Sequence, residues 1–120
     1  GIAESMGGSC DLAFRAGYAA VYNDEKFSDF VAATFRKYED IIHEDLGDGK
    51  PEDWLITGEH PLLGAEDFGF YSQKAPSCMI WVGVGGNSPK HSPGFCIDER
   101  YIKLCTRAMA TTALEYLTKE

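Results

Sequence analysis

The sequence lacks three features, and each absence excludes a class of protein. No apolar run approaches the roughly 20 residues that a membrane-spanning helix needs, so no membrane segment is expected. No two of the four cysteines form a Cys-x-x-Cys pair, which argues against a closed structural zinc site. Only 11 Lys and Arg stand against 19 Asp and Glu, a net charge of −8. Nucleic acid and anionic membrane surfaces are therefore not expected partners.

Cysteine content bears on the cellular compartment. Four cysteines in 120 residues are too few for a small secreted disulfide scaffold. No basic segment followed by an apolar stretch marks a secretory leader. We interpret the cysteines as reduced and mostly buried thiols of a cytoplasmic protein. The 44% hydrophobic content is typical of a globular domain with a modest core.

Hydrophobic periodicity predicts alternating helices and strands. The predicted order is a helix tail (1–8), a strand with one buried face (10–15), a long helix (24–46), a short strand (54–57), a short helix (65–74), a strand covered on both faces (78–85) and a last helix that begins at Asp98. This order predicts an α/β fold. The chain begins inside an element, so we expect it to be a piece of a longer protein. A boundary is predicted between Tyr18 and Asn23.

The stretch Lys90-His91-Ser92-Pro93-Gly94-Phe95 carries the first candidate site. It follows the apolar run and precedes the last helix, and α/β proteins place their chemistry in such loops. An imidazole there can ligate a metal or carry a proton. From spacing alone, an ordinary loop histidine is the more common interpretation.

Glu66 and Asp67 form the second candidate, at a glycine-led helix start. Adjacent carboxylates there can orient a substrate or ligate a metal. More commonly they cap the helix, because its first N–H groups need acceptors. Neighbouring residues on a helix point in different directions, so we do not expect a joint acid–base pair.

The other histidines and the cysteines carry weaker hypotheses. His43 lies within the predicted long helix, where a packed or solvated ring is the common outcome. His60 lies in a loop from which it could approach His91. A thiolate at Cys96 or Cys78, with His91 as its base, is a rival mechanism. A buried cysteine with no Lys or Arg nearby tends to be an inert thiol, so this mechanism is the less expected one.

Three ordered stretches together resemble a known family. They are Gly64-Ala65-Glu66-Asp67-Phe68 with Tyr71, the apolar run from Pro76 to Gly85, and His91-Ser92-Pro93-Gly94-Phe95 ahead of a helix ending Ala113-Leu114-Glu115-Tyr116-Leu117. Their order and spacing are similar to the C-terminal part of the metal-dependent N-acyl-amino-acid amidohydrolases. That group includes hippurate hydrolases, aminoacylases and auxin-conjugate hydrolases, and is related to zinc carboxypeptidases. The resemblance covers nearly the whole chain.

The resemblance implies roles for particular residues. His91 is expected to ligate one of two divalent metal ions, zinc or manganese, and Glu66 and Asp67 to lie near the substrate. The general base is expected upstream, so no catalytic base is expected in this chain. The implied substrate is a small N-acyl amino acid or a peptide-like conjugate.

The resemblance also implies an architecture. Residues 1–17 are expected to be the last helix and strand of an α+β lid domain. Residues 18–120 would form the C-terminal part of a catalytic domain with a helix-flanked mixed sheet. The expected partners are the N-terminal half of the same protein and a second copy in a homodimer. Alone, this chain is expected neither to hold two metals tightly nor to hydrolyse a substrate.

A second hypothesis comes from a different class of protein. The chain would then be a self-contained small-ligand or protein-interaction module without catalysis. Exposed aromatic side chains at Phe27, Phe68 and Tyr71 would form its contact surface.

Overall fold

The fold is taken from a computed structural model, which describes residues 1–47, 51–58, 61–86 and 88–119. Its α-helices in these ranges are α1 (Ile2–Ser5), α2 (Glu25–Lys37), α3 (Glu39–Ile42), α4 (Gly69–Ser72) and α5 (Arg100–Leu117). None of the described residues pairs in a β-ladder. The helix-flanked sheet therefore stays a prediction.

Helix α2 begins where its cap predicts and ends earlier than its periodicity predicts. The Asp24 carboxylate accepts a hydrogen bond from the Phe27 amide at 2.8 Å, which satisfies a free N–H group of the first turn. The predicted helix to Leu46 is wrong at Tyr38, where the backbone turns out of helical geometry (φ −108°, ψ 22°) before α3 starts. The Tyr38 hydroxyl donates to Glu115 on α5 at 2.9 Å, so this break accompanies a contact between helices.

The core lies where α5 packs across α2 and α3. Val31, Phe35, Ile42 and Ala108 are its buried apolar residues, and Ile42 is only 2% exposed. Ala108, whose side chain is a single methyl group, is also 2% exposed. Full burial of a side chain such as Ile42 contributes about 1.5–3 kcal/mol.

Ion pairs flank this core on both sides. Arg107 on α5 contacts Asp45 at 2.5 Å and Glu44 at 2.8 Å, just beyond the end of α3. Lys37 at the end of α2 contacts Glu115 at 2.7 Å. These pairs fix the relative register of α5 and the α2–α3 segment, although exposed pairs add little stability singly.

A second contact region joins the start of α2 to the predicted buried strand. The Asn23 amide donates to the Met79 carbonyl at 2.9 Å and accepts from the Met79 amide at 2.8 Å. The Asp24 amide donates to the Ser77 carbonyl at 2.9 Å. Residues 77–79 are therefore fastened to the helix pair by three hydrogen bonds to backbone groups.

Much apolar surface remains uncovered. The accessible area is 10,189 Å², whereas a compact protein of 13.2 kDa exposes about 6,400 Å². The radius of gyration is 20.3 Å, against about 14 Å for a compact domain of this length. Trp81, in the run predicted to be covered on both faces, is 63% exposed.

Substituting Gly69 should destabilise the fold. A Cβ at this position would lie 2.1 Å from the Ala19 carbonyl oxygen, so the backbones would have to separate. We expect Gly69→Ala to lower the free energy of unfolding by about 1–3 kcal/mol, as overpacking does, in a urea titration. Gly17→Ala is the matched control, because its Cβ would meet nothing within 4 Å. Equal stabilities of the two variants would contradict the close approach.

The contact between α2 and α5 should weaken in acid. A hydrogen bond donated by Lys37, and a second one donated by Tyr38, hold the pKa of Glu115 below its ordinary value of 4.5, and the bond from Lys37 has the larger effect. A carboxyl group with a lowered folded-state pKa adds stability above its unfolded pKa, and that stability is lost as the pH falls through the folded pKa. When the pH is lowered below 4.5, we expect the urea midpoint of the wild type to fall further than that of Glu115→Gln. Exposed Glu52 supplies the control, since Glu52→Gln should keep the wild-type profile.

Candidate functional site

His91 lies at the tip of a tight turn. The Ser92 amide donates to the Pro89 carbonyl at 3.2 Å, which closes the turn around Lys90 and His91. His91 has φ 66°, and it is the only residue other than glycine with a positive φ in the described ranges. That conformation costs a side-chain-bearing residue about 1–2 kcal/mol. The ring is exposed, so an external group can reach it.

The two arms of the His91 loop run beside each other. A Cβ on Gly94 would lie 3.0 Å from the Ser88 hydroxyl oxygen, and one on Gly86 would lie 3.7 Å from the Cys96 carbonyl oxygen. Gly85 and Gly86 adopt φ of 64° and 87°, conformations that glycine reaches without the penalty of a Cβ. Positions 88 and 94, and positions 86 and 96, therefore lie close together on the two sides of the His91 turn.

Three further side chains belong to the surroundings of His91: its two neighbours in sequence, and Trp81, which contacts one of them. The Lys90 Nζ lies 3.9 Å from the centroid of the Trp81 ring, a cation–π contact worth about 0.5–1 kcal/mol at an exposed position. The Ser92 hydroxyl is buried and has no hydrogen-bond partner among the described residues. Sequence reasoning did not find the Trp81–Lys90 contact, since nine positions separate the two residues.

Glu66 and Asp67 lie in the turn that leads into α4. A Glu66 carboxylate oxygen accepts from the Phe68 amide at 3.3 Å, and the Gly69 amide donates to the Glu66 carbonyl at 3.1 Å. Asp67 is exposed, and its carbonyl accepts from Phe70 at 3.1 Å. Helix α4 has Phe68 as its N-cap residue and no side-chain capping hydrogen bond, so the capping interpretation is not confirmed: the Glu66 carboxylate accepts a bond within the turn before the helix. Proximity of either carboxylate to a substrate stays a prediction.

His43 is packed, one of the two outcomes expected for it, and it follows the last residue of α3. Its ring meets the Trp54 ring edge-on at 4.5 Å, and its Nδ1 lies 3.0 Å from the Glu39 carbonyl oxygen. Burial lowers the pKa of His43 and favours the neutral ring. His60, the third histidine, lies outside the described residues.

The cysteines are free thiols, but the prediction that they are mostly buried is wrong. Cys10 and Cys96 are exposed, whereas Cys78 and Cys105 are half-buried. The hydrogen bonds of Cys78 and Cys96 go to the carbonyl of the following residue, at 4.0 and 3.8 Å. These contacts lend no support to a thiolate mechanism with His91 as base.

The described residues do not by themselves form a complete metal site. No three of their His, Cys, Asp and Glu side chains come together to hold an ion. A catalytic zinc site needs about three protein ligands and an open position. The exposed imidazole of His91 fits one such ligand, and the others would have to come from outside the described part of the chain.

Comparison with known proteins identifies the family. A model described as peptidase family M20/M25/M40 matches residues 5–115. The chain belongs to this family. The resemblance to the amidohydrolases that the sequence motifs indicated is thereby confirmed. No solved structure matches the chain.

Several curated members of the M20/M25/M40 family are similar to parts of the chain. The putative amidohydrolase YhaA of Bacillus subtilis is 26% identical over 97% of this chain and 28% of its own length. The thermostable carboxypeptidase 2 of Saccharolobus solfataricus is 36% identical over 53% of the chain and 18% of its own. The N-acetyldiaminopimelate deacetylase of Pediococcus pentosaceus is 50% identical over 37% of the chain and 12% of its own. The chain thus spans less than a third of each of these relatives. No helix in the described ranges is both apolar and long enough to cross a membrane.

The backbone conformation at His91 makes a stability prediction. Glycine adopts a positive φ without the Cβ penalty, whereas alanine keeps that penalty. We expect His91→Gly to be more stable than His91→Ala by about 1 kcal/mol, measured by urea denaturation. Both variants lack the imidazole, so the difference between their stabilities reports the cost of the backbone conformation. A more stable alanine variant would contradict the positive φ.

Proposed function

We propose that this chain is the C-terminal part of a dinuclear metal-dependent amidohydrolase that cleaves the amide bond of N-acyl amino acids or related small conjugates. Family membership supports hydrolysis, and the relatives named as deacetylases and amidohydrolases support an acyl-amide substrate. The observation that carries the proposal is the exposed imidazole of His91 at the tip of a closed turn.

His91 is the metal ligand in this proposal. Its side chain is exposed, so ligands supplied by another segment can reach the ring. Enzymes of this family generally use divalent metals, and we infer zinc or manganese here. Such ions, when bound, polarise an amide carbonyl and make water a better nucleophile.

Glu66 and Asp67 are the substrate-proximal carboxylates of the proposal. Glu66 already accepts a backbone hydrogen bond within the turn, so its orientation is restricted. Asp67 is exposed, and its side chain is available to a substrate ammonium or hydroxyl group. The general base that takes a proton from water lies in the upstream half, which also supplies the remaining ligands.

The uncovered apolar surface supports the inference that an upstream half of the protein packs against this chain. Trp81 and Ile80 in the predicted buried strand are exposed, as is Met109 on α5. We infer that the N-terminal half of the same protein covers these side chains and completes a helix-flanked mixed sheet from residues 18–120. Residues 1–17 would be the end of a lid domain that can also join two copies in a homodimer. The free thiols support a cytoplasmic location.

The alternative, an interaction module without catalysis, is weakened because part of its expected contact surface is packed within the chain. Phe27 stacks on Phe30 at 5.8 Å and meets Tyr116 edge-on at 6.0 Å, so it belongs to the helix contact. Phe68 is half-buried, and Tyr71 remains exposed. Of the three side chains named for that contact surface, only Tyr71 is therefore fully exposed.

The complete polypeptide tests the proposal. It should release the amino acid from an N-acetyl amino acid when zinc or manganese is restored after chelation. We expect His91→Ala to lower this activity by at least about 100-fold and to lower the bound metal, measured by elemental analysis. His43→Gln changes a packed histidine and should keep both properties. Full activity and metal content in His91→Ala would contradict the assignment.

The 120-residue chain alone provides the second control. It lacks the upstream ligands, so a calorimetric zinc titration should show no submicromolar binding at two ions per chain. Tight binding at that stoichiometry would show that the ligands lie within this chain.

A further inference from the structure

The backbone of the His91 loop does not by itself fix where the tip lies. Four glycines, Gly83, Gly85, Gly86 and Gly94, fall within twelve residues of the loop and the run before it. Each leaves the backbone with more conformational freedom than any other residue would. The hydrogen bonds from Ser92 to Pro89 and from Phe95 to Ser92 shape the turn, but they lie within it.

A side-chain contact connects this tip to a fixed part of the fold. The Lys90 Nζ lies 3.9 Å from the Trp81 ring centroid. Trp81 follows two residues after Met79, whose amide and carbonyl are both held by the Asn23 side chain. The residue next to His91 is therefore tied, through Trp81 and Met79, to the start of α2.

We propose that the contact between Trp81 and Lys90, the Trp81–Lys90 brace, positions His91 for metal binding. Trp81 and Lys90 are positioning residues: they hold the turn, and the turn holds the imidazole. The function of the brace rests on the proposed role of His91 as a ligand, whereas its effect on loop order does not.

The geometry explains why both halves of the contact matter. The indole face supplies negative potential and a flat surface for the Lys90 stem, and the ammonium supplies the charge. Phenylalanine at position 81 keeps a weaker face, whereas leucine keeps none. A positive charge beside a metal site also repels the ion, so a substitution that removes it would mix two effects. Variants at Trp81 therefore suit the metal measurement.

Nuclear magnetic resonance on the complete polypeptide tests the effect on order. We expect a backbone order parameter near 0.85 at the His91 amide, falling toward 0.6 in Lys90→Met and in Trp81→Leu. In Trp81→Leu, the Lys90 Hε signals should also lose the upfield shift caused by the indole ring. Lys119→Met is the matched control, because it removes a cation–π contact with Phe30, at 5.1 Å, outside the His91 loop. An unchanged His91 order parameter in Lys90→Met and Trp81→Leu would overturn the brace.

Metal affinity of the complete polypeptide tests the consequence. Trp81→Leu should weaken zinc binding by about two- to fivefold, and Trp81→Phe should restore part of the affinity. Wild-type affinity in Trp81→Leu, together with lost affinity in His91→Ala, would overturn the brace and leave the hydrolase proposal standing. Wild-type affinity in His91→Ala would instead overturn the ligand assignment, and the order parameters would still decide whether the brace exists.

Discussion

The packing of α5 against α2 and α3 is the interaction on which the other contacts depend. It buries Phe35, Ile42 and Ala108 and is bordered by ion pairs at Arg107 and Lys37. This packing holds α2 in place, and the residues just before α2 then hold residues 77–79 through Asn23 and Asp24. The position of the His91 loop thus depends on a helix contact to which His91 does not belong.

Polar contacts, together with the packing of Cys78 against the core, attach the predicted strand to the helices. The Asn23 amide imitates the neighbouring backbone that a β-ladder would provide, because it offers one donor and one acceptor to Met79. The apolar side chains that follow, such as Trp81, stay largely exposed. An extended apolar segment with free edges tends to pair with another chain unless something covers it. This is the physical reason for assigning a covering segment to the complete protein.

Features of the fold that depend on local chemistry could be predicted from the sequence. Asp24 caps α2 as its residue type predicts. The last helix lies where it was predicted but begins at Arg100 with Glu99 as its N-cap residue, and Asp98 accepts from the Arg100 amide at 2.9 Å just before it. The break at Tyr38 could not be predicted, since it accompanies a contact with Glu115, 77 residues later. The sheet and the domain boundary depend on pairing across segments and remain predictions.

The candidate site likewise has features that the sequence predicts and a feature that it does not. Sequence motifs led to His91, Glu66 and Asp67, but no pattern reveals that position 91 has a positive φ. The other described residues with a positive φ are glycines, at positions 7, 47, 58, 85 and 86.

Glycine would therefore fill the tip of this turn at lower cost, and the chain uses glycine at every comparable position that the structure describes. A strained backbone persists only where the surroundings enforce it or the side chain repays it. Here the turn itself enforces it: Pro89 and Pro93 flank the three residues between them, and the Ser92 amide donates to the Pro89 carbonyl at 3.2 Å. His91 is the third residue of this four-residue turn, the position at which a type II turn requires a positive φ. The backbone conformation therefore explains why the ring stands at the tip of the turn, whereas the proposed metal role of His91 depends on the family motif and on the exposure of the ring.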